Sequence, residues 1–237
     1  MKEQSNLYKD LDITFSIPAY NDEYTIEHLV KECIEFAEMY ELKYKFLLID
    51  DGSLDNTKMV LQKLELNYDF ISVIYHPVNL SFGPTLKEVF TYPKTEWVCF
   101  LPGDHQFSAF DFLIPSMNYI TEYDFILGKR VQRADNLYRL FISSIYNICI
   151  SLIARNKVSD VNSSVLFKSK ILDGVTFHGK SAFIHAELYL NAYNKGYKTI
   201  EVPIKHKERA YGKAGGSKFK VIMATFYDML SYALKSR

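Results

Sequence analysis

The stretch K45-F-L-L-I-D-D-G-S-L-D-N-T57 decides the fold class of this chain of 237 residues. A continuous apolar run, residues 46–49, ends in the two carboxylates Asp50 and Asp51. The turn G52-S-L-D-N-T57 follows and supplies residues that can cap a helix beginning near residue 55. An apolar strand that passes through a turn into a helix is typical of a parallel sheet covered by helices on both faces.

The same alternation of strand and helix extends along the chain in both directions. Apolar runs predict strands at residues 12–20, 45–51, 70–75, 97–101, 124–128 and 199–204. Apolar residues at helical spacing predict helices at about 23–40, 55–66, 83–92, 136–154, 182–195 and 218–235. With no internal repeat and no linker, the pattern predicts one α/β domain over residues 1–237, with a mostly parallel central sheet flanked by helices.

Composition and charge exclude several classes of protein. The formal net charge is zero, which argues against nucleic-acid binding because nucleic-acid-binding proteins usually carry a basic excess. Cys33, Cys99 and Cys149 lie far apart in apolar contexts, so we interpret them as reduced residues of a cytoplasmic protein. The polar N-terminus lacks a signal-peptide core, and no apolar run reaches the roughly 18–20 residues that span a bilayer. We expect a cytoplasmic protein that, if it meets a membrane, lies against the inner face.

Polar residues follow three of the predicted strands. Tyr20 ends the first strand and Asn21 follows it, Asp50 and Asp51 end the second, and Asp104 follows the fourth. In parallel sheets the carboxyl ends of the strands meet at one edge, and ligands bind just beyond that edge. The sequence therefore predicts that these side chains line one cleft.

Ordered sequence blocks over most of the chain resemble glycosyltransferase family 2, whose members have the GT-A fold and use nucleotide-diphosphate sugars. The blocks are S16-I-P-A-Y-N-D22, I49-D-D-G-S-L-D-N-T57, N79-L-S-F-G-P-T-L-K87, L101-P-G-D-H-Q106, I126-L-G-K-R130, R139-L-F-I-S143 and E201-V-P-I-K-H-K-E-R-A-Y-G212. Within the family, the series looks most like the dolichol- or polyprenyl-phosphate sugar transferases.

The resemblance implies a site for a UDP- or GDP-sugar donor. Pro18, Tyr20, Asn21 and Asp22 would border the base and the ribose. Asp51 would accept a hydrogen bond from the base, and a carboxylate suits the N–H of uracil as well as that of guanine.

The resemblance also implies a divalent metal ion, Mg²⁺ or Mn²⁺, bound by Asp104 with Gln106 nearby. Such an ion neutralises the charge that grows on the departing nucleoside diphosphate. Pro102 stands where the family has the first aspartate of its metal motif, so one carboxylate is missing. This departure leaves open a catalytically inactive nucleotide-sugar-binding module.

For the acceptor, the resemblance assigns a phosphate group to Arg130, Arg139 and Ser143. Lys129 and Arg133 add positive charge to the same segment. A phosphate acceptor is already an anion, so it needs cations rather than a general base, and guanidinium groups suit its oxygens.

A glycan hydroxyl is the alternative acceptor, and it would need a general base. His185, Glu187 and Asp160 are the residues to consider for this acceptor, with Glu187 or Asp160 as the base. For Glu187, a charge on the surface of a helix is an equally good interpretation. His28, His76, His178 and His206 are interpreted as structural or surface residues.

Two helical segments and one loop complete the hypothesis. Residues 140–153 are apolar nearly all round, so this helix is either buried on all sides or meets lipid or a partner chain with one face. Residues 218–235 are similar with basic ends, which suits a lipid surface or a homo-oligomer seam. The glycine-rich stretch Y211-G-K-A-G-G-S-K-F219 is interpreted as a lid that folds over the diphosphate, with Arg209, Lys213 and Lys218 as its cations.

Overall fold

A computed structural model describes residues 8–131, 137–207 and 219–235 of the chain. Its strands are β1 (Asp12–Ala19), β2 (Lys43–Asp50), β3 (Ile71–Tyr75), β4 (Trp97–Phe100), β5 (Phe125–Val131), β6 (Val165–Lys168) and β7 (Thr199–Lys205). Its helices are α1 (Ile26–Met39), α2 (Thr57–Asn67), α3 (Phe82–Thr91), α4 (Ala109–Met117), α5 (Leu137–Ala154), α6 (Phe183–Asn194) and α7 (Phe219–Lys235).

The seven strands form one sheet in the order β3-β2-β1-β4-β6-β5-β7. Every neighbouring pair is parallel except the two that include β6, which runs antiparallel to both β4 and β5. The carboxyl ends of the other six strands therefore meet at one edge, hereafter the carboxyl edge. This confirms the predicted α/β fold with a mostly parallel sheet.

The strands are apolar because both faces of the sheet are buried. On one face α1 and α4 pack over a cluster that includes Phe15, Phe36 and Phe46. On the other face a second cluster includes Phe90 and Phe183, from α3 and α6. Two covered faces leave the edges of the sheet as the places where polar groups reach solvent.

Two elements were not predicted from the sequence. Strand β6 has only four residues, and its place between β4 and β5 is set by pairing that no local pattern encodes. Helix α4 has nine residues with Pro115 inside, and a proline argues against a helix when only the sequence is read.

The predicted helices begin and end within a few residues of the observed ones.

Helix α5 is more exposed than a helix of its composition would be in a protein core. It has 18 residues and a mean hydropathy of 1.6, yet only 22% of them are buried. Leu137, Tyr138 and Arg139 extend it beyond the apolar run, so the expectation that no segment reaches spanning length was wrong for α5. By length and composition, α5 is the single helix among the described residues that could cross a membrane, and such a helix taken alone is weak support for a span.

Candidate active site

The loops that follow β1, β2 and β4 are hydrogen-bonded to one another at the carboxyl edge. The backbone N–H of Asp51 donates to the Ala19 carbonyl (2.9 Å), and that of Gly103 donates to the Pro18 carbonyl (3.2 Å). A Cβ at Gly103 would lie 2.6 Å from the Pro18 oxygen, so only glycine permits this approach. The Thr25 hydroxyl donates to the Gly103 carbonyl (2.9 Å). The three loops therefore surround one site.

Asp51 is held by the loop that follows β3. Its Oδ1 accepts the Leu80 N–H (2.9 Å) and lies 2.9 Å from Nδ1 of His76, while Asn79 Nδ2 donates to the Asp51 carbonyl (3.1 Å). The Nε2 of His76 lies 2.8 Å from Oε2 of Glu88. Burial lowers the pKa of His76, but the hydrogen bonds and charges of the two carboxylates outweigh it and raise the pKa. His76 is thus a buried structural partner of Asp51, a contact that the sequence did not predict.

The residues after β1 form a tight turn at the same site. Asn21 has a left-handed backbone (φ 57°), and its Oδ1 accepts the Leu54 N–H (2.8 Å). Oδ2 of Asp22 accepts the Tyr20 N–H (3.0 Å), so the Asp22 carboxylate organises the turn. Pro18 and Asp22 are buried, whereas Tyr20 is 40% exposed. Among these residues, Tyr20 offers the ring most accessible to a ligand.

The loop between β4 and α4 carries the predicted metal ligands. Asp104 and Gln106 are half-buried, and Asp104 Oδ1 accepts the Gln106 N–H (3.2 Å). The Gln106 side-chain amide nitrogen donates to the Lys207 carbonyl (3.2 Å), so the side-chain oxygen is the atom of Gln106 that could bind a cation. A carboxylate and an amide oxygen are hard ligands of the kind that Mg²⁺ and Mn²⁺ take, so these residues fit a divalent ion.

Arg130 forms a two-pronged ion pair with Asp160. The Arg130 Nε lies 2.6 Å from Asp160 Oδ2, the guanidinium also contacts Oδ1, and the Arg130 backbone N–H donates to Oδ2 (3.0 Å). The side chains are 10% and 4% exposed. The guanidinium fork predicted to bind acceptor phosphate is therefore occupied by a carboxylate of the chain itself.

His185 packs beside this pair. Its ring contacts the rings of Phe90 and Phe100, with centroids 5.5 Å and 5.2 Å away. Burial lowers the pKa of His185 to about 3; the Asp160 charge opposes this shift, and the Arg130 charge adds to it. His185 is therefore a neutral core residue.

Glu187 is fully buried in α6, so its interpretation as a surface charge was wrong. Oε1 accepts the His178 N–H (2.8 Å), and Oε2 accepts the Gly179 N–H (2.9 Å). Each carboxylate oxygen thus binds the backbone of the segment before α6. This arrangement gives Glu187 a structural task.

Arg139 and Ser143 lie one turn apart on α5, four residues from each other, so they share a face of the helix. Both are half-buried, and the buried residues Tyr146 and Ile150 continue the same face. The predicted cations Arg133, Arg209, Lys213 and Lys218, and the glycine-rich lid, lie outside the described residues.

Solved structures with the same fold contain nucleotide and metal. Glucosyl-3-phosphoglycerate synthase from Mycobacterium tuberculosis, with Mn²⁺, UDP and phosphoglyceric acid, superposes with a TM-score of 0.75 at 14% identity. The match covers 98% of this chain and 82% of that one. The same enzyme with Mg²⁺ and UDP matches at a TM-score of 0.75 and 13% identity, over 98% of this chain and 83% of that one. At these identities the likeness shows a shared fold.

Two curated relatives share sequence over most of the chain. Both are undecaprenyl-phosphate 4-deoxy-4-formamido-L-arabinose transferases. The one from Proteus mirabilis is 27% identical over 225 residues, and the one from Sodalis glossinidius is 25% identical over 224 residues. Each match covers 92% of this chain and 67% of the relative. The sequence profile of glycosyl transferase family 2 matches residues 14–189, and the chain therefore belongs to that family.

Proposed function

We propose that the chain transfers a sugar from a UDP- or GDP-sugar to a polyprenyl phosphate, with inversion at the anomeric carbon in one in-line displacement. Membership of glycosyl transferase family 2 makes it a glycosyltransferase. The names of the curated relatives, which specify undecaprenyl phosphate, support the lipid phosphate acceptor.

The choice of a phosphate acceptor rests on one observation: each candidate base is already bound or enclosed by other groups of the chain. Asp160 is neutralised by the guanidinium of Arg130, and both oxygens of Glu187 accept backbone N–H groups. His185 is enclosed by aromatic rings and loses basicity through burial, which lowers its pKa to about 3. A hydroxyl acceptor would need one of these groups as its base, whereas a phosphate acceptor needs none.

Arg139 and Ser143 supply the best-placed donors for an acceptor phosphate. They stand on the first turns of α5, the helix that follows β5 in the chain. A guanidinium group and a hydroxyl one turn apart can hold two oxygens of one phosphate group. Lys129 is exposed where β5 ends and adds positive charge there, whereas the charge of Arg130 is balanced by Asp160.

At the donor end, we assign Asp51 to the base, with Tyr20 and Asn21 beside it. Asp104 and Gln106 would hold Mg²⁺ or Mn²⁺, which supplies positive charge to the diphosphate as it leaves. The UDP and Mn²⁺ or Mg²⁺ complexes of the M. tuberculosis structures support this choice of ligands. Pro102 leaves Asp104 as the single carboxylate of the motif in this chain.

The exposed faces of α5 and α7 support a position against a lipid surface. Leu137, Phe141 and Leu152 are 85%, 63% and 73% exposed on α5. The two helices pack together through Tyr146 and Phe226, whose rings are 5.9 Å apart, and α7 adds further exposed apolar side chains. In the proposed arrangement, the prenyl chain contacts the exposed face of α5, and its phosphate reaches Arg139 and Ser143 on the adjoining half-buried face. We accordingly place the protein peripherally at the inner face of the membrane.

The direct test is a transfer assay with UDP- and GDP-sugars, Mg²⁺ or Mn²⁺, and either a short-chain prenyl phosphate or a free oligosaccharide. We expect a lipid-linked sugar whose anomeric configuration is opposite to that of the donor. Extension of the oligosaccharide without any lipid-linked product would refute the lipid acceptor. Donor binding with neither transfer nor metal-dependent hydrolysis would favour the inactive module that Pro102 suggests.

A matched pair of variants makes the assay specific for the acceptor site. Arg139→Gln should raise the KM for prenyl phosphate while the affinity for the nucleotide stays unchanged. Lys157→Gln, an exposed lysine just beyond the other end of α5, should leave both quantities unchanged. If both substitutions changed the KM for prenyl phosphate equally, Arg139 would not belong to the acceptor site.

A further inference from the structure

Three side chains outside the proposed donor and acceptor sites converge on one point. His28 and Glu32 stand one turn apart on α1, and His105 lies in the loop between β4 and α4. Oε1 of Glu32 is 3.1 Å from Nε2 of His105 and 3.5 Å from Nε2 of His28. One ligand atom from each of the three residues lies within 4.8 Å of the other two. A carboxylate oxygen therefore faces two imidazole nitrogens.

The carboxylate is anchored from its far side. Oε2 of Glu32 accepts the Ser108 hydroxyl (2.9 Å) and the Ala109 N–H (2.8 Å) at the start of α4. Burial raises the pKa of Glu32, but the contact with His105 and these hydrogen bonds outweigh it, and the pKa falls to about 2. Hydrogen bonds of this kind orient a carboxylate ligand in known metal sites. Oε1 is the oxygen that remains turned toward the imidazoles.

His105 is directed into the cluster by an unusual backbone. Its φ of 51° lies in the left-handed region, which is uncommon for residues other than glycine and is often found at functional sites. Its Nε2 is buried, and despite the short distance to Glu32 it has no hydrogen bond of acceptable geometry with the described residues. The nitrogen thus faces the carboxylate oxygen of Glu32 at a distance of 3.1 Å.

Two imidazoles and one carboxylate are the ligands of a transition-metal ion rather than of Mg²⁺. Bonds of about 2.1 Å in tetrahedral geometry place ligand atoms about 3.4 Å apart, close to the two shorter separations in this cluster. The third separation can close because the His28 side chain is 65% exposed and can rotate without disturbing the core.

We propose that His28, Glu32 and His105 form a binding site for a transition-metal ion such as Zn²⁺, separate from the Mg²⁺ or Mn²⁺ site of the transfer reaction. The ion joins α1 to the loop between β4 and α4. That loop also carries Asp104, so an ion bound here holds the backbone next to the proposed catalytic ligand. The site is independent of the identity of donor and acceptor, and it can be tested without an activity assay.

The experiment uses the full chain without an affinity tag, stripped of metal by a chelator. Zn²⁺ is titrated calorimetrically in the presence of excess Mg²⁺, and Co²⁺ is titrated by its visible absorption, which is strong only in tetrahedral sites. The variants are His28→Ala and His105→Asn, the latter because asparagine tolerates a left-handed backbone. His178→Ala, an exposed histidine outside the cluster, and Asp104→Asn are the controls.

We expect one Zn²⁺ per chain, a raised unfolding midpoint on Zn²⁺ binding, and tetrahedral Co²⁺ bands. Substitutions around a metal site commonly weaken binding by about 10–100-fold, so loss of a direct ligand should cost at least about 100-fold. Both controls should bind as the unmodified chain does. His28→Ala decides the outcome even if His105→Asn fails to fold, because His28 is exposed on a helix surface. Absence of Zn²⁺ binding, or undiminished affinity in His28→Ala, would overturn the proposal.

Discussion

The imidazole of His76 joins Asp51 to a second carboxylate, with Nδ1 2.9 Å from Asp51 Oδ1 and Nε2 2.8 Å from Glu88 Oε2. Tyr92 also approaches Glu88, through its hydroxyl at 3.4 Å. The proposed base-binding carboxylate is therefore oriented by a side chain from the neighbouring strand end. A protonated His76 can donate to both carboxylates at once, which ties the stability of this corner of the site to pH.

Replacing His76 by glutamine should destabilise the protein more at about pH 6 than at about pH 9. The pKa of His76 is raised above 6.5 in the folded state, so its stabilisation is fully present below 6.5. The stabilisation is lost as pH rises through the folded-state pKa. Urea unfolding at both pH values measures the difference, which we expect to be about 1–3 kcal/mol at the lower pH. An equal difference at both pH values would contradict a charged His76, and His178→Gln is the exposed control.

Asp160→Asn should lower the free energy of unfolding by about 3–5 kcal/mol, because it breaks a buried ion pair in which both oxygens of Asp160 contact the Arg130 guanidinium. Urea unfolding measures the loss. Asp10→Asn is the matched control, since Asp10 pairs with Lys43 at the surface, where the side chains are 95% and 64% exposed. A surface pair of this kind should contribute nothing measurable. If the two substitutions had the same small effect, Arg130 would not depend on Asp160.

Glu187→Gln should reduce stability by about 1–3 kcal/mol and leave turnover per folded molecule unchanged. The new amide group presents N–H to a backbone N–H, so one of the two buried donors loses its acceptor. Turnover and urea unfolding are measured on the same preparation, with the exposed Glu122→Gln as control. A fall in turnover of about 100-fold or more at unchanged stability would make Glu187 a general base after all.

Asp104→Asn should abolish metal-dependent transfer while the fold survives. Loss of a metal that stabilises several kcal/mol of developing charge corresponds to at least about a 100-fold drop in rate. Rates are measured over a titration of Mg²⁺ and Mn²⁺, and circular dichroism reports the fold. Asp69→Asn, an exposed aspartate before β3, should retain full activity. Full activity of Asp104→Asn would show that the metal ligand lies elsewhere.

Replacing Phe141 and Leu152 together by glutamine should weaken binding to anionic lipid vesicles without changing donor affinity. Both side chains lie on the exposed face of α5, and each contributes apolar area to a lipid contact. Co-sedimentation measures the bound fraction. Leu66→Gln on α2 is the control, because Leu66 is 87% exposed but lies on another element. Vesicle binding that is unaffected, together with a shift from dimer to monomer, would assign the face to a second copy of the chain.

The fold class, and the meeting of the loops after β1, β2 and β4 at one edge of the sheet, could be predicted from the sequence alone. Apolar runs ending in Asp51 and before Asp104 predicted parallel strands, and parallel strands bring their carboxyl ends to one edge whatever the rest of the chain does. The order of the family blocks added the transferase chemistry. These inferences succeed because strand patterning and turn chemistry are local properties of the chain.

The tertiary structure decided which polar side chains are engaged. The sequence separation is 30 residues between Arg130 and Asp160, and 12 residues between His76 and Glu88. The local sequence around these residues does not predict either contact. The same holds for β6, whose place in the sheet comes from pairing with β4 and β5. Glu187, a candidate base in the sequence, is buried and binds backbone N–H groups. Helix α5, which the sequence allowed as a core helix, exposes an apolar face. Such outcomes depend on which surfaces meet after the chain has folded, and packing between distant segments is a property of the whole molecule.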